Sequence, residues 1–496
     1  MTMSEGFDEA AFHELQQRLV PMWPGMTLRS VDQMSRALIV VSSVSMDIPT
    51  LAPVLPAYEE RYLFMVLALA RSSNTHVVYV TSQPMLPRLV DYYLSMVPDA
   101  DLEELRERLS VVAVGDGSAR PLTEKILARP RLIERLRQLV KAYEHTLLLP
   151  FMTTALEAQL ALKLNVPLYG SAPNLTQLGT KTGSREVFAS AGVPMPPGVH
   201  GIRTEGDIVD AVKQLHDAHP AERYAIKTDD GVGGLGNALV VVTSGHQRTI
   251  EECVAALTPE DKKLSREDFL EMLVDTGGVV EEWVEGDEVS SPSVQLRASP
   301  LGEVEVLSTH DQVLGGSTGQ TFLGCTFPAR SDFVPTLTKW GRAIGEQLAH
   351  RGVIGRFGID FLMVRTASDW RPYAIEINLR NGGTTHPALT LLALTGGDYD
   401  EESGDFVTRT GPKHYFATDY LHRPEYAALT PDDVLDLMAD SHLGWNEDSQ
   451  TGVALHMVSA IAVAGRLGAT AIANSPDAAQ ELYTELVNRL DRAVAL

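Results

Sequence analysis

The 496-residue chain is short of cysteine, having Cys253 and Cys325 alone. Two thiols cannot build a disulfide framework, and a cysteine-based zinc site needs more ligands than the chain holds. Basic charge is also in deficit. Lys and Arg number 41 against 65 Asp and Glu, a net charge of −24 with a pI near 5.0. A surface of that sign excludes a nucleic-acid backbone or an anionic membrane as main partner. A nucleotide remains open, because it needs a local basic pocket only. Long apolar runs are missing as well; the longest, residues 64–70, is too short to span a bilayer. Residues 1–9 are acidic and lack the apolar centre of a signal peptide, so a cytoplasmic protein is expected. Internal repeats and low-complexity tracts are absent too.

What is present is apolar enough to fold: 44% hydrophobic and 21% charged residues permit large cores. At about 150 residues per domain the length predicts about three or four domains. Strand patterns at 37–41, 76–80, 111–114 and 146–149 alternate with helical patterns at 58–71, 132–144 and 155–163, after a short amphipathic helix over 8–20. That alternation predicts a parallel α/β domain over 1–175. Pro194, Pro196, Pro197 and Gly198 mark a break. An α+β pattern follows over 176–280, then strands and loops over 281–400. A last α+β segment covers 401–496, with a strand-like stretch at 453–463 and a helix from Ser475. The fold class is thus mixed α/β and α+β, in several domains.

Three motifs carry the chemistry. Residues 355–364 and 373–378 read as two antiparallel strands, placing Asp360, Glu376 and Asn378 on one face. Two carboxylates and an amide oxygen are hard ligands suited to Mg²⁺ beside nucleotide phosphates; a charged strand end in solvent is the plainer alternative. Gly231, Gly233, Gly234 and Gly236 form a G-x-G-x-x-G pattern, but a strand at 237–242 follows it where a dinucleotide site needs a helix. With a strand at 224–227 before it, the pattern predicts a β-hairpin whose amides close over phosphates, or an ordinary glycine-rich surface turn. Lys227 adds a positive charge there. Finally, an extended strand through Glu282–Val284, with Glu281 before it and Trp283 inside it, exposes backbone groups to an adenine edge, and Glu288 lies beyond the turn at Gly286, within reach of a ribose.

In order and spacing, Lys181, Lys227, the glycine loop, Glu281 to Val284 with Glu288, and Asp360 with Glu376 and Asn378 resemble the ATP-grasp superfamily of carboxylate–amine ligases over residues 175–395. Residues 58–61, 378–387, 451–457 and 465–468 extend the likeness to the pheganomycin-type peptide ligases. A departure is Lys227-Thr228, where many family members have Lys-Pro. The resemblance implies an ATP-grasp fold with a Rossmann-like pre-ATP-grasp domain (1–175), a lid subdomain (176–280), a hinge and metal subdomain (281–400) and a small C-terminal domain (401–496).

It also implies an ADP-forming ligase that activates a carboxylate, of an amino or guanidino acid, as an acylphosphate for attack by an amine. The amine belongs to an amino acid or a short peptide. ATP and Mg²⁺ are implied, the latter as two ions with Mn²⁺ as a substitute, and so is a homodimer. Lys181 and Lys227 would bind phosphate oxygens, and Arg380 the transferred phosphoryl group. His386 and Arg356 are further catalytic candidates, His386 as a base for the incoming amine. An ATP-grasp kinase that stops at phosphorylation and a non-catalytic ATP-binding module are the competing functions.

Overall fold

The computed structural model describes residues 7–25, 35–46, 53–67, 69, 72–97, 101–231, 236–242, 248–315, 321–367 and 369–495. Its first sheet is four-stranded and parallel, in the order β3-β2-β1-β4, from β1 (Arg36–Val41), β2 (Thr75–Thr81), β3 (Leu109–Ala113) and β4 (His145–Pro150). Every residue of β1 and β2 is buried, which explains their unbroken apolar runs. Helices Pro130–Val140 and Ala155–Leu164 close one face of this sheet. The second of these starts at a reciprocal Thr154–Glu157 cap and stops at Asn165 in the left-handed conformation.

The helix expected over 58–71 is different. An α-helix runs from Leu55 to Glu60 and a 3-10 turn from Leu63 to Leu67. The Arg61 amide bonds the Tyr58 carbonyl, three residues back, and the Tyr79 hydroxyl donates to the Glu59 carbonyl. Both contacts end the regular ladder before residue 63.

The second sheet is antiparallel, in the order β5-β9-β6-β7-β8, from β5 (Gly198–Ile202), β6 (Arg223–Thr228), β7 (Asn237–Val241), β8 (Thr258–Pro259) and β9 (Gly278–Glu282). Lys227 pairs with Asn237, so the glycine segment does lie in a hairpin connection. The strand expected through Glu282–Val284 is shorter, ending at Glu282. Tyr224 is its partner there, one residue from the start of β6, and little strand remains to pair with.

The third sheet has nine strands. Eight follow the order β10-β14-β11-β12-β13-β19-β21-β20, and β15 pairs with β14. They are β10 (Glu288–Ser290), β11 (Pro292–Ala298), β12 (Val304–Gly315), β13 (Thr321–Phe327), β14 (Gly355–Thr366), β15 (Asp369–Asn378), β19 (His414–His422), β20 (Gly452–His456) and β21 (Arg466–Ala473). A small sheet of β16 (Asp398–Tyr399), β17 (Phe406–Thr408) and β18 (Gly411–Pro412) is inserted before β19. Strands on both sides of residue 400 therefore share one sheet, joined where Cys325 of β13 faces Ala417 of β19.

The strand expected over 453–463 stops at His456. Met457 takes a left-handed φ of 55°, and a short helix, Ala460–Ala464, follows. The helix Pro476–Val494 begins with the Ser475 hydroxyl accepting from the Ala478 amide. No described helix is long and apolar enough to cross a membrane.

β14 sets the two faces of the large sheet. Phe357, Ile359 and Phe361 are fully buried in the main core, which also takes in Leu337, Ile344 and Leu348 of the helix Val334–His350. Arg356, Gly358 and Asp360, at the alternate positions, point to the other face. On that face Ser293, Gln295 and Arg297 of β11 stand directly opposite Asp360, Gly358 and Arg356.

Candidate active site

Alternation brings the carboxylates together. Asp360 pairs with Glu376 and Gly358 with Asn378 across β14 and β15. The Asn378 side-chain amide donates to Asp360 Oδ2 at 2.9 Å, and Gln312 of β12 donates to Asp360 Oδ1 at 2.7 Å. Lys181 Nζ lies 2.5 Å from Glu376 Oε1. Burial, and then the neighbouring Glu376 charge, push the Asp360 carboxyl up to about 7. Two carboxylates and an amide oxygen fit a hard divalent cation.

Arg380 follows just beyond the end of β15. Its Nη1 donates to Asn378 Oδ1 at 2.5 Å, and no ion pair to it is found among the described residues. Burial pulls the guanidinium below its ordinary value, against the pull of Glu376 and Asp360.

Lys181 is the first residue of the helix Lys181–Ala191, which the Thr180 hydroxyl caps. Its ammonium also donates to the Gly231 carbonyl at 3.1 Å, so it touches both the hairpin turn and the carboxylate group. Gly236 closes the turn at φ +84°, and its carbonyl accepts from the Thr228 amide at 2.9 Å. A side chain at Gly236 would sit 2.2 Å from Thr228 Oγ1. Gly233 and Gly234 lie outside the described residues.

Lys227 does not stand free. Its Nζ is 2.7 Å from Glu281 Oε2, and Arg185 Nη1 is 2.7 Å from Glu281 Oε1. Burial alone would raise the Glu281 carboxyl, but Lys227 and Arg185 hold it below its usual value. The Glu281 side chain is thereby engaged, and the Glu282 amide bonds the Pro197 carbonyl at 2.9 Å. The Trp283 amide bonds the Arg223 carbonyl at 3.0 Å, with Arg223 5.3 Å from the centre of its ring. Val284 is half-buried. Glu288 is exposed at the start of β10, between Arg330 at 3.2 Å and Arg365 at 3.1 Å.

The same sheet face continues to Arg356. No described acceptor bonds this guanidinium; its Nε is buried without a partner, and Cζ lies 5.6 Å from the centre of the Tyr169 ring. Arg356 borders two cavities. One, of about 50 Å³, is edged by Gln295, Arg297 and Thr385; the other, of about 40 Å³, by Ser42, Tyr62 and Asn381. Ser42, in the loop after β1, thus reaches this region.

His386 is elsewhere. It is buried at the start of the helix Thr385–Thr395, with Nε2 3.0 Å from His456 Nε2 and 3.2 Å from Asp419 Oδ1. Burial pushes its imidazole down to about 3.

Sequence reading gave no role to Arg185, Gln312, Asp419, His456 or Arg61, although Arg61 and His456 lie in stretches that carry the resemblance. For Arg185 a signal existed: it lies four residues after Lys181 on one helix, so both side chains share a face. For the others, contacts arise only when distant strands assemble.

Residues 173–266 and 258–401 match the family described as "IQCH-like, ATP-grasp", and residues 433–486 match "PGM1 C-terminal domain". The chain is 31% identical over 418 residues to the L-propargylglycine–L-glutamate ligase of Streptantibioticus cattleyicolor, covering 82% of this chain and 84% of that one. It is 28% identical over 374 residues to IQ motif-containing protein H of Danio rerio, 65% of this chain, and spans only 35% of that longer protein. Among solved structures, the biotin carboxylase domain of Hydrogenobacter thermophilus 2-oxoglutarate carboxylase, complexed with MgADP, ADP and bicarbonate, aligns with a TM-score of 0.56. Identity there is 14% over 91% of this chain and 89% of that one, a likeness of fold. The chain belongs to the ATP-grasp family of carboxylate–amine ligases, ADP-forming enzymes that make C–N bonds, and resembles its pheganomycin-type members.

Proposed function

We propose that the chain links two amino acids, or an amino acid and a short peptide, by activating the carboxylate of one as an acylphosphate for the amine of the other. The observation that carries this reading is the order of groups along one sheet face. Asp360 and Glu376 are followed by Asn378 opposite Gly358, with Arg380 on Asn378, and then by Arg356, whose buried Nε has no hydrogen-bond partner. Alternate residues of a strand advance about 7 Å. A cation beside the carboxylate group serves the reacting acid. A second cation one step further serves the carboxylate that an amino-acid amine carries into the site. The name of the Streptantibioticus relative, a ligase of two amino acids, supports this choice of substrates.

Asp360, Glu376 and Asn378 would hold Mg²⁺, as two ions, and the metal would neutralise phosphate charge when bound. Lys181 and Lys227 bind the α- and β-phosphate oxygens of ATP, under the amides of Gly231, Gly233, Gly234 and Gly236. For Lys227 this means sharing its charge between Glu281 and phosphate. The carbonyls of Glu282 and Trp283 and the backbone of Val284 meet the adenine, the amides of Glu282 and Trp283 being bonded to Pro197 and Arg223, and Glu288 meets the ribose by exchanging an arginine partner for hydroxyls.

The acid's carboxylate oxygen attacks the γ-phosphorus, the bond to the bridging oxygen breaks, and ADP leaves. Arg380 holds the transferred phosphoryl oxygens as their charge develops. Arg356 orients the amine substrate by its carboxylate, so that its nitrogen meets the acyl carbon. The C–N bond forms, the C–O bond to phosphate breaks, and phosphate departs, its oxygen taking the proton that the amine nitrogen loses. The base role is not carried forward for His386, whose neutral imidazole is enclosed with His456 and Asp419. A homodimer is carried forward as the assembly, to be read by light scattering.

The test incubates the protein with ATP, Mg²⁺ and pooled amino acids and short peptides, followed by mass spectrometry. A condensation product formed with ADP supports the reading. ADP with a phosphorylated acid and no condensation overturns it in favour of a kinase. Arg356→Ala should raise KM for the amine substrate by about 100-fold with a smaller change in ATP KM, as expected for a lost charged contact of about 3 kcal/mol. An unchanged amine KM removes Arg356 from the role.

A further inference from the structure

His386, Asp419 and His456 come from three elements: the start of the helix Thr385–Thr395, β19 and the last residue of β20. All three are buried, and their atoms form a near-equilateral triangle. His456 Nε2 is 2.8 Å from Asp419 Oδ1, His386 Nε2 is 3.2 Å from the same oxygen, and the two nitrogens are 3.0 Å apart.

Hydrogen bonds alone cannot satisfy this triangle. Each imidazole nitrogen is either an N–H donor or a bare lone pair, and an ionised carboxylate oxygen only accepts. If both nitrogens carry protons, the contact between them is donor against donor. If one is bare, it faces the carboxylate oxygen as acceptor against acceptor. With Asp419 ionised and the rings as placed, every proton assignment leaves one side of the triangle repulsive. A cation above the triangle turns all three atoms into lone-pair donors and removes the conflict. At metal–ligand distances of about 2.1 Å, sides of this length subtend about 90° at the ion, the facial arrangement of two imidazoles and one carboxylate.

Asp419 and His456 are each held for this arrangement, while His386 Nδ1 is buried without a hydrogen-bond partner. Arg61 Nη1 bonds Asp419 Oδ2 at 2.7 Å, which orients the carboxylate and leaves Oδ1 to the centre of the cluster. Gly468 faces His456 across β20 and β21, and a Cβ there would lie 2.0 Å from His456 Nε2. The bare backbone at Gly468 is what lets the imidazole occupy its place.

We propose that His386, Asp419 and His456 bind a divalent first-row transition ion, separate from the Asp360, Glu376 and Asn378 group. Imidazole ligands select such ions over Mg²⁺. Enclosed by protein and drawn from segments on both sides of residue 400, the ion staples β19 and β20 to the helix that follows Arg380. Its role is structural.

The test uses the full chain without a histidine tag, stripped by chelator and titrated with Co²⁺. Bound metal is counted by mass spectrometry after gel filtration, and visible absorption is recorded. The expected result is about one Co²⁺ per chain in wild type and in Asp360→Asn, with affinity lost at least about ten-fold in His456→Ala and Asp419→Asn. Folded wild type without bound Co²⁺ overturns the proposal. So does binding unchanged in a folded His456→Ala, which would mark adventitious surface binding. Should the variants not fold, X-ray absorption on the cobalt-loaded wild type decides: two imidazole ligands support the site, and none refutes it.

Discussion

Glu281→Gln separates a counter-ion from a nucleotide contact. The wild-type carboxylate is 3% exposed and takes one cation on each oxygen, Arg185 and Lys227, both at 2.7 Å. The variant keeps the shape but turns one of the two accepting oxygens into an amide donor and leaves two cations with no anion between them. Breaking a buried ion pair by removing one partner costs about 3–5 kcal/mol. The lower end applies here. Arg185 keeps its bonds to the carbonyls of Pro196 at 3.0 Å and Gly198 at 3.1 Å, and Lys227, at 13% side-chain exposure, can turn to solvent. The expected loss is therefore about 3 kcal/mol, read from urea unfolding of both proteins followed by tryptophan fluorescence.

A pH dependence accompanies it. The folded Glu281 carboxyl lies below its ordinary value, so its contribution is present above the usual carboxylate range and lost as pH falls through the depressed one. The variant should lack that acid loss. ATP affinity, measured calorimetrically where both proteins are folded, should change by less than about three-fold, because the lysine keeps its charge for phosphate. A stability loss below about 1 kcal/mol, or a ten-fold loss of ATP binding at unchanged stability, would refute the counter-ion account.

Arg380→Ala should cut product formation by at least about 100-fold and leave ATP affinity within about three-fold, since the group is assigned to charge that develops only on transfer; equal loss of both sinks the assignment. Glu60 is buried against the Ser459 amide at 3.1 Å, and burial pushes its carboxyl up from 4.5 to about 7. A raised folded value means stability that is full below pH 4.5 and lost as pH climbs through 7. Glu60→Gln should therefore be the more stable protein at pH 8, by up to about 3 kcal/mol in urea unfolding, and no gain there would refute the shift. Gly236→Ala puts a Cβ 2.2 Å from Thr228 Oγ1 at a φ of +84°, so KM for ATP should rise about ten-fold as the turn is displaced; an unchanged KM would show that the hairpin does not close on phosphates.

Local pattern made much of this molecule legible and long-range assembly hid the rest. The meeting of Asp360 and Glu376 follows from alternation within two neighbouring strands, and the hairpin between Lys227 and Asn237 from a strand on each side of the glycines. Period-two alternation fixes which side chains share a face without any knowledge of the remaining chain. Nothing comparable announces Arg61 and Asp419, 358 positions apart, whose ion pair exists because the last three strands of the chain return to the large sheet beside β13. His456 shows the same limit. Its segment reads as one strand to 463, yet the chain turns at Met457 and leaves the imidazole folded over Gly468. The glycine carries the one clue, because a strand interior without a side chain is where something else comes close. What comes close at Gly468 is the imidazole at one corner of a buried triangle of atoms that no placement of protons reconciles.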